Sequence, residues 1–172
     1  VSVTSSLVDP VADFEINARG TLNMLEAVRL HAPEAHVLYT STNKVYGSLA
    51  DLPLEKQEKR YVLPTLPLGV SEEFPTTAAT PYGVSKLVGD LYVQDYAYTF
   101  GLNTTVFRMS CIYGTRQNGN VDQGWVSWMV KAALSGDDLT LYGDGRQVRD
   151  LLHVDDLVRA IITVLDTDLG RG

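Results

Sequence analysis

The sequence has few of the residues that metal sites, disulfide frameworks and nucleic-acid surfaces need. It contains one cysteine and three histidines in 172 residues, too few and too scattered for an internal disulfide or a metal-ligand cluster. The formal net charge of −7 argues against nucleic-acid and anionic-membrane partners, because both need clustered Lys and Arg. The sequence shows no signal peptide and no apolar run long enough to span a bilayer. We therefore predict no metal, no nucleic-acid partner and no membrane contact.

What the sequence does contain is typical of a globular protein. Hydrophobic residues make up 45% and charged residues 20%, which is ordinary for a soluble domain with a sizeable core. The single cysteine, Cys111, fits a reducing cytoplasm. Because the sequence begins in mid-pattern and stops just after a predicted helix, we expect it to be an internal piece of a longer protein.

The spacing of apolar residues predicts alternating helices and strands. The predicted helices run from Asp9 to about Leu30, from Thr80 to about Phe100, from Trp125 to about Leu134, and from Asp155 or Asp156 to about Leu165. The predicted strands lie at residues 36–40, 103–109, 139–142 and 147–152. Residues 48–79 are a long irregular segment, and such segments are usually functional. This order favours an α/β fold with a parallel sheet.

Tyr82 and Lys86 are the first candidates for catalysis. They lie four residues apart on the second long helix and so share one of its faces. A tyrosine, with a pKa of about 10, is a poor base near neutral pH unless its anion is stabilised. The charge of a neighbouring ammonium lowers that pKa. The alternative is an amphipathic helix with one tyrosine against the core and one exposed lysine, and the pair alone does not decide between them.

Other polar residues leave two interpretations open. Thr42 ends a predicted strand, where open α/β sheets build their sites, although threonine is also common in turns. Asn17 either bridges its helix to a site or points to water. Arg149 suits a diphosphate or a surface salt bridge. Cys111 is typical of a small buried residue rather than of a nucleophile.

Four motifs, in order along the chain, resemble those of the extended short-chain dehydrogenase/reductases that modify nucleotide sugars. They are the helix segment at 17–27, the strand and turn at 40–47, the Tyr-Gly-Val-Ser-Lys segment at 82–86, and the segment at 143–156. The resemblance covers essentially the whole chain. It implies a Rossmann-like α/β fold with a doubly wound parallel sheet. Residues 1–115 would be the C-terminal half of the NAD-binding domain, and residues 116–172 the start of the substrate-binding region.

The resemblance also implies NAD-dependent chemistry on a nucleotide-diphosphate sugar. Tyr82 would take the proton of a sugar hydroxyl, Lys86 would stabilise the phenolate, and Thr42 would align the hydroxyl. The residues expected to contact NAD are Asn17, Thr40, Ser41, Tyr82, Lys86 and Ile112. Those expected to contact the nucleotide sugar are Thr4, Ser5, Asn43, Ser110, Cys111, Gln117, Asp122, Gln123, Trp125 and Arg149, of which Arg149 would hold the diphosphate.

Within the family, the segments at 41–47 and 122–126 most resemble those of enzymes that epimerise a CDP-linked sugar at C2. The related 4,6-dehydratases carry Asp-Glu directly after the catalytic threonine, whereas this sequence has Asn43 and Lys44. The resemblance therefore implies epimerisation through a transient keto-sugar and disfavours dehydration. A 4-epimerase or a reductase of the same family is the alternative.

The glycine-rich loop that holds the NAD pyrophosphate in this family is missing from the sequence. No G-x-G-x-x-G or G-x-x-G-x-x-G segment occurs. We expect truncation both of this glycine-rich half and of the family's C-terminal substrate domain. A further alternative is therefore an inactive fragment that acts only as an interaction module. The family commonly pairs its two long helices between subunits, so the resemblance implies a homodimer or a higher oligomer.

Overall fold

The structure, a computed structural model, describes residues 2–120 and 122–167. The chain divides into two compact units. The first holds the residues up to Ser48, Pro75–Met109 and the residues from Asp155 on, and the second holds Leu49–Phe74 and Ser110–Val154. These units interleave along the sequence, so the predicted division into functional regions at 1–115 and 116–172 stays a prediction. The ends of those ranges, Val1 and 168–172, lie outside the described residues.

Helices and strands alternate along the chain. In order they are α1 (Val3–Val8), α2 (Pro10–Phe14), the π-helical segment Glu15–Arg19, α3 (Gly20–His31), β1 (Val37–Thr42), the 3₁₀ turn Asn43–Tyr46, β2 (Glu55–Lys56), β3 (Tyr61–Val62), α4 (Thr80–Phe100), β4 (Thr104–Met109), β5 (Cys111–Tyr113), α5 (Trp125–Ser135), β6 (Leu151–His153) and α6 (Val154–Asp166). Each unit contains one parallel pair of strands, β1 with β4 and β5 with β6. The predicted α/β class is confirmed.

The helices begin and end where local chemistry favours it. The Asp9 carboxylate accepts the Ala12 amide hydrogen at 2.9 Å and caps α2, with proline at the first helical position. The predicted helix start at Asp9 is therefore confirmed. Helix α4 ends at Gly101, which has a φ of 71°, a left-handed conformation that glycine adopts without strain.

The core of the first unit lies between α3, α4 and the β1–β4 pair. Leu25, Val93, Tyr96 and Leu102 form its centre, and burial of each such side chain contributes about 1.5–3 kcal/mol. The register runs from Val37 opposite Thr104 to Thr42 opposite Met109. Both strands therefore end at the same edge of the pair, and Thr42 lies at that edge.

A glycine lets α4 lie close to β1. A Cβ atom on Gly89 would be 2.8 Å from Cζ of Tyr39, so only glycine fits this contact without displacing the ring. The Tyr39 hydroxyl donates a hydrogen bond to the Lys86 carbonyl at 3.2 Å. The close approach thus brings the face of α4 that bears Lys86 onto β1.

An open groove of about 410 Å³ lies beside β1 in the first unit. Its lining is mainly apolar and comes from the π-helical segment, α3, β1 and α4: Ile16, Gly20, Thr21, Met24, Leu25, Val37, Leu38, Tyr39 and Val93. Parallel sheets are normally covered on both faces. The groove is therefore core-like surface that the described residues leave open.

The second unit is built around a hairpin and a glycine-flanked turn. Strands β2 and β3 pair antiparallel, so the segment predicted to be irregular contains a short hairpin. The Asp144 carboxylate accepts hydrogen bonds from Lys56 at 2.9 Å and from the Tyr61 hydroxyl at 3.0 Å. These bonds hold the hairpin against the turn that contains Asp144.

Two strand predictions differ from the structure. Residues 139–142 form no strand, and Leu141 and Tyr142 are 64% and 80% exposed. The β-rich composition predicted a strand there, but no neighbouring strand pairs with it. The strand predicted at 147–152 is reduced to Leu151–His153. In both segments the residues that have a β propensity but no neighbouring strand to pair with do not form a strand.

The other predicted elements are present, with boundaries shifted by one or two residues. The long N-terminal helix, however, contains a π-helical segment that periodicity did not predict. Within the parts of the chain that the structure describes, no helix is long and apolar enough to cross a membrane.

Candidate active site

The Tyr82 phenol lies beside the end of β1. Thr42, the last residue of that strand and 9% exposed, is near enough for its side chain to lower the pKa of Tyr82, although the net shift is a rise. The Thr42 hydroxyl also accepts the Lys44 amide hydrogen at 3.3 Å, which fixes the turn that follows. Two of the three predicted catalytic residues, Thr42 and Tyr82, therefore lie near each other.

Lys86 lies one helical turn further along α4. Its ammonium donates to the Thr40 carbonyl at 2.6 Å and lies 4.3 Å from the centre of the Tyr39 ring, which is within cation–π range. Thr40, Thr42, Tyr82 and Lys86 thus gather around the carboxyl end of β1. This position agrees with the rule that open α/β sheets build sites at the ends of their strands.

The pKa values of the pair move in opposite directions. Burial raises the pKa of Tyr82, the hydrogen bond with Thr42 lowers it, and the charge of Asp13 raises it, with a net rise. Burial lowers the pKa of Lys86, while the charges of Asp90 and Asp13 raise it, with a net fall. The lowering of the Tyr82 pKa that we expected from Lys86 is absent: Lys86 is not among the causes of the shift, and the largest cause is burial, which raises the pKa.

Asn17 points to the site and not to water. Its amide donates to Ser85 Oγ at 3.0 Å and to Asp13 Oδ1 at 3.3 Å. The π-helical segment that carries it is a feature often found at functional sites. Asn17 therefore bridges its helix to α4, and its contact with NAD stays a prediction.

Ser41 is buried and hydrogen-bonded within the protein. Its hydroxyl donates to Asp90 at 2.6 Å. Asp90 also accepts two bonds from Arg108, at 2.9 and 3.0 Å, and Arg108 donates to the Tyr46 hydroxyl at 3.2 Å. Asp90 and Arg108 were missed by sequence reasoning, because a salt bridge between a helix and a strand leaves no local spacing signal.

Of the hydroxyl side chains in α1, Thr4 and Ser5 cap the helix, whereas Ser6 contacts the helical turn that carries Tyr82. Thr4 and Ser5 bond within the first turn of α1 around Ser2, and both are exposed. Ser6, which the sequence did not single out, is fully buried and accepts the Tyr82 amide hydrogen at 3.2 Å. Asn43 begins the 3₁₀ turn after Thr42 and is exposed.

The second unit holds the remaining candidates. Ile112 lies at the centre of β5, between Cys111 and Tyr113, and its carbonyl accepts a hydrogen bond from Gln117 Nε2 at 3.0 Å. The other polar atom of that side chain, Gln117 Oε1, is buried and has no hydrogen-bond partner among the described residues. An unpaired buried acceptor is costly, so Gln117 suits a donor supplied by a ligand. Ser110 and Cys111, which directly precede Ile112 in the sequence, are half-buried.

The loop before α5 is shaped by Asn120. Its side-chain oxygen accepts the amide hydrogens of Asp122 and Gln123, both at 2.9 Å. The carboxylate and amide side chains of these two residues are exposed, as is Trp125 at the start of α5. The structure thus places three predicted substrate contacts, all exposed, at or just before the start of α5.

Arg149 is exposed and donates to the neighbouring Val148 carbonyl at 3.3 Å. The turn that contains Asp144 is instead bound by Arg146, which pairs with Asp144 at 3.3 Å and donates to the Glu58 carbonyl at 2.9 Å. The contact of Arg149 with a diphosphate stays a prediction. In the described ranges, no group of three or more His, Cys, Asp or Glu side chains could hold a metal ion.

Comparison with known proteins identifies the family of the chain. The chain matches the NAD dependent epimerase/dehydratase family over residues 2–171. It is 44% identical to CDP-paratose 2-epimerase of Salmonella typhi over 170 residues, which cover 96% of this chain and 50% of that protein.

Two solved structures show the same fold. UDP-glucose 4-epimerase of Thermus thermophilus, in complex with NAD, superimposes with a TM-score of 0.78 at 31% identity, covering 97% of this chain and 50% of that chain. UDP-glucose 4-epimerase of Thermotoga maritima with UDP-glucose gives a TM-score of 0.78 at 28% identity, covering 96% and 49%.

The chain therefore belongs to the NAD-dependent epimerase/dehydratase family. The resemblance inferred from the four motifs is confirmed, and so is the Rossmann-like fold. The chain spans about half the length of the curated relatives that it matches.

We expect Asp90→Ala to destabilise the first unit strongly. Asp90 is fully buried and the Arg108 side chain is 14% exposed, so the substitution leaves a largely buried guanidinium without its partner, at a cost of about 3–5 kcal/mol. Urea unfolding would measure the change. The matched control is Arg19→Ala, which breaks a salt bridge whose side chains are 58% and 46% exposed and should cost at most about 1 kcal/mol. Equal effects of the two substitutions would contradict the assignment.

Proposed function

We propose that a polypeptide carrying this chain epimerises a nucleotide sugar through NAD-dependent oxidation and reduction, specifically CDP-paratose to CDP-tyvelose. The observation that carries the proposal is the face of α4 that bears Lys86 and, one turn before it, Tyr82: it meets the end of β1, where the Lys86 ammonium donates to the Thr40 carbonyl and Thr42 is the last residue. The identity of 44% to a CDP-paratose 2-epimerase supports the choice of sugar. Because the chain spans half the length of its relatives, the activity is proposed for the polypeptide that supplies the remaining half.

The residues around Lys86 fit the nicotinamide-ribose end of NAD. A lysine ammonium has three hydrogens to donate, and that of Lys86 uses one on the Thr40 carbonyl. The remaining donors suit the hydroxyls of a ribose, and the Tyr82 hydroxyl lies on the same helical face. When bound, NAD accepts a hydride from the sugar carbon and returns it.

Tyr82 would act as the general base and acid that transfers the proton. Its phenolate takes the proton of the sugar hydroxyl as the carbon is oxidised, and Lys86 stabilises that phenolate by its charge. Thr42, near Tyr82, would align the hydroxyl and then hold the oxygen of the keto-sugar. Tyr82 would return the proton to that oxygen when the carbon is reduced from its opposite face, which gives the inverted alcohol.

The residue after Thr42 favours epimerisation over dehydration. An asparagine amide neither gives nor takes a proton near neutral pH, so Asn43 cannot act as an acid at that position. The orphan acceptor Gln117 Oε1 and the turn that bears Asp122 and Gln123 provide polar groups suited to a sugar nucleotide.

Product analysis with a polypeptide that carries this chain tests the proposed choice of substrate. With CDP-paratose we expect CDP-tyvelose, and with UDP-glucose as the control we expect no product. Conversion of UDP-glucose to UDP-galactose would instead support the 4-epimerase alternative. Substrate deuterated at C2 should keep its label in the product, because the hydride returns to the carbon that it left. Loss of the label to solvent would argue against oxidation at C2.

Tyr82→Phe should lower kcat by about 10²–10⁴-fold, the range expected when a general base is removed. The ring stays in place, so NAD binding should change little. Tyr98→Phe is the control, since Tyr98 is 92% exposed, and its kcat should equal that of the unmodified protein. A Tyr82→Phe variant with full turnover would remove Tyr82 from the mechanism.

Self-association through the helices is a second proposal, and exposed apolar residues favour it. Val84, Leu91 and Tyr98 follow a seven-residue spacing on α4, which places them on one face, and they are 49%, 52% and 92% exposed. An exposed apolar stripe of this kind commonly marks an interface. We propose a homodimer or higher oligomer that uses this face, whether or not the chain is active.

Leu91→Asp should shift the chain toward the monomer in sedimentation velocity, because it places a charge within the apolar face. Leu141→Asp is the matched control: Leu141 is 64% exposed in the second unit and should leave the association unchanged. An unmodified chain that sediments as a monomer at all concentrations would contradict the proposed interface.

A further inference from the structure

The helical turn that carries Tyr82 is fixed by side chains from the N-terminal helices. The Tyr82 amide hydrogen is bound by Ser6 Oγ at 3.2 Å. Three residues later, Ser85 Oγ donates to the Asp13 carboxylate and accepts a hydrogen bond from Asn17 at 3.0 Å. Asn17 also donates to Asp13 at 3.3 Å, so Asp13, Asn17 and Ser85 form a closed set of hydrogen bonds, called the Asp13 cluster below.

The Asp13 cluster is enclosed by protein. Asp13 and Ser85 are 1% and 2% exposed, and the Ser85 hydroxyl also lies 3.1 Å from the Tyr82 carbonyl. These contacts join residues 68 to 72 positions apart in the sequence. The orientation of the first turn of α4 is therefore set by groups on α2 and the π-helical segment, and not by α4 alone.

Asp13 differs from the other buried acid on this side of the protein. Asp90 is paired with Arg108, whereas in the described part of the chain Asp13 has hydrogen-bond donors but no ion pair. A buried carboxylate without a cation is costly to stability. Such a group beside a candidate base points to a functional role, because a neutral side chain would pack there at lower cost.

We propose that Asp13 is a positioning residue that, through Ser85 and Asn17, fixes the turn of α4 carrying the Tyr82 phenol. The role rests on the proposed use of Tyr82 as the base. Asp13 acts through its neighbours and does not touch the reacting atoms.

The charge of Asp13 provides a readout of its closeness to Tyr82. The groups that act on the Tyr82 phenol are Thr42 and Tyr39 from β1 and Asp13 from α2, while Lys86 on its own helix donates to the Thr40 carbonyl. Asp13 raises the pKa of Tyr82, so removal of its charge should move the titration of Tyr82 to lower pH. Asp90 contributes to the pKa values of Lys86 and Tyr39 instead.

The experiment is a pH titration of the 172-residue chain labelled with ¹³C at tyrosine Cζ and followed by NMR. Tyr82→Phe assigns the Tyr82 resonance. In Asp13→Asn, which keeps the side-chain shape, we expect the midpoint of Tyr82 to fall. Asp95→Asn is the control: it removes an exposed charge on the same helix and should leave the Tyr82 midpoint unchanged. An unchanged midpoint in Asp13→Asn, or an equal shift in Asp95→Asn, would overturn the proposal.

Ser85→Ala tests the positioning itself, because it keeps the carboxylate and removes the link to α4. We expect the Tyr82 resonance to move or broaden at constant pH, with no fall in its titration midpoint. A Tyr82 resonance identical to that of the unmodified chain would count against the cluster. The titration needs neither NAD nor sugar, so a failed epimerase assay would leave its outcome interpretable.

Discussion

The buried carboxylate of Asp90 is the interaction on which the arrangement of the site depends. It lies one helical turn after Lys86 and accepts hydrogen bonds from Ser41 on β1 and Arg108 on β4. One side chain thus ties α4 to both strands of the parallel pair. Since Ser41 directly precedes Thr42, the same bond fixes the strand end that faces Tyr82. The Arg108 guanidinium offsets the cost of burying that charge.

The sequence could predict features that depend on residues close together in the chain. The site also depends on contacts between elements far apart in the chain. Tyr82 and Lys86 were found because i, i+4 spacing on a helix is a local rule, and the family was found because its motifs are contiguous. The partners Ser6, Asp13 and Arg108 come from other elements, where no spacing marks them. The strand predicted at 139–142 failed for a related reason: β propensity is realised only when another strand pairs with it.

The electrostatics around Tyr82 favour the protonated form of its phenol. Burial and the charge of Asp13 raise its pKa, so the phenol keeps its proton near neutral pH. The Lys86 ammonium donates to the Thr40 carbonyl, and its charge is not among the causes of the Tyr82 shift. If Tyr82 acts as the proposed base, further positive charge brought to the site would favour its ionisation.

The open groove lies beside β1, the same strand that holds the Lys86 ammonium. Among the described residues β1 pairs only with β4, and Ile16 and Met24 on the groove are 60% and 65% exposed. Parallel sheets are normally covered on both faces, and the described residues leave this side of β1 open. The Thr40 carbonyl that holds Lys86 belongs to the same strand, and Tyr39 on it carries the lysine's cation–π contact. Protein that covers β1 would therefore also rigidify the position of the ammonium.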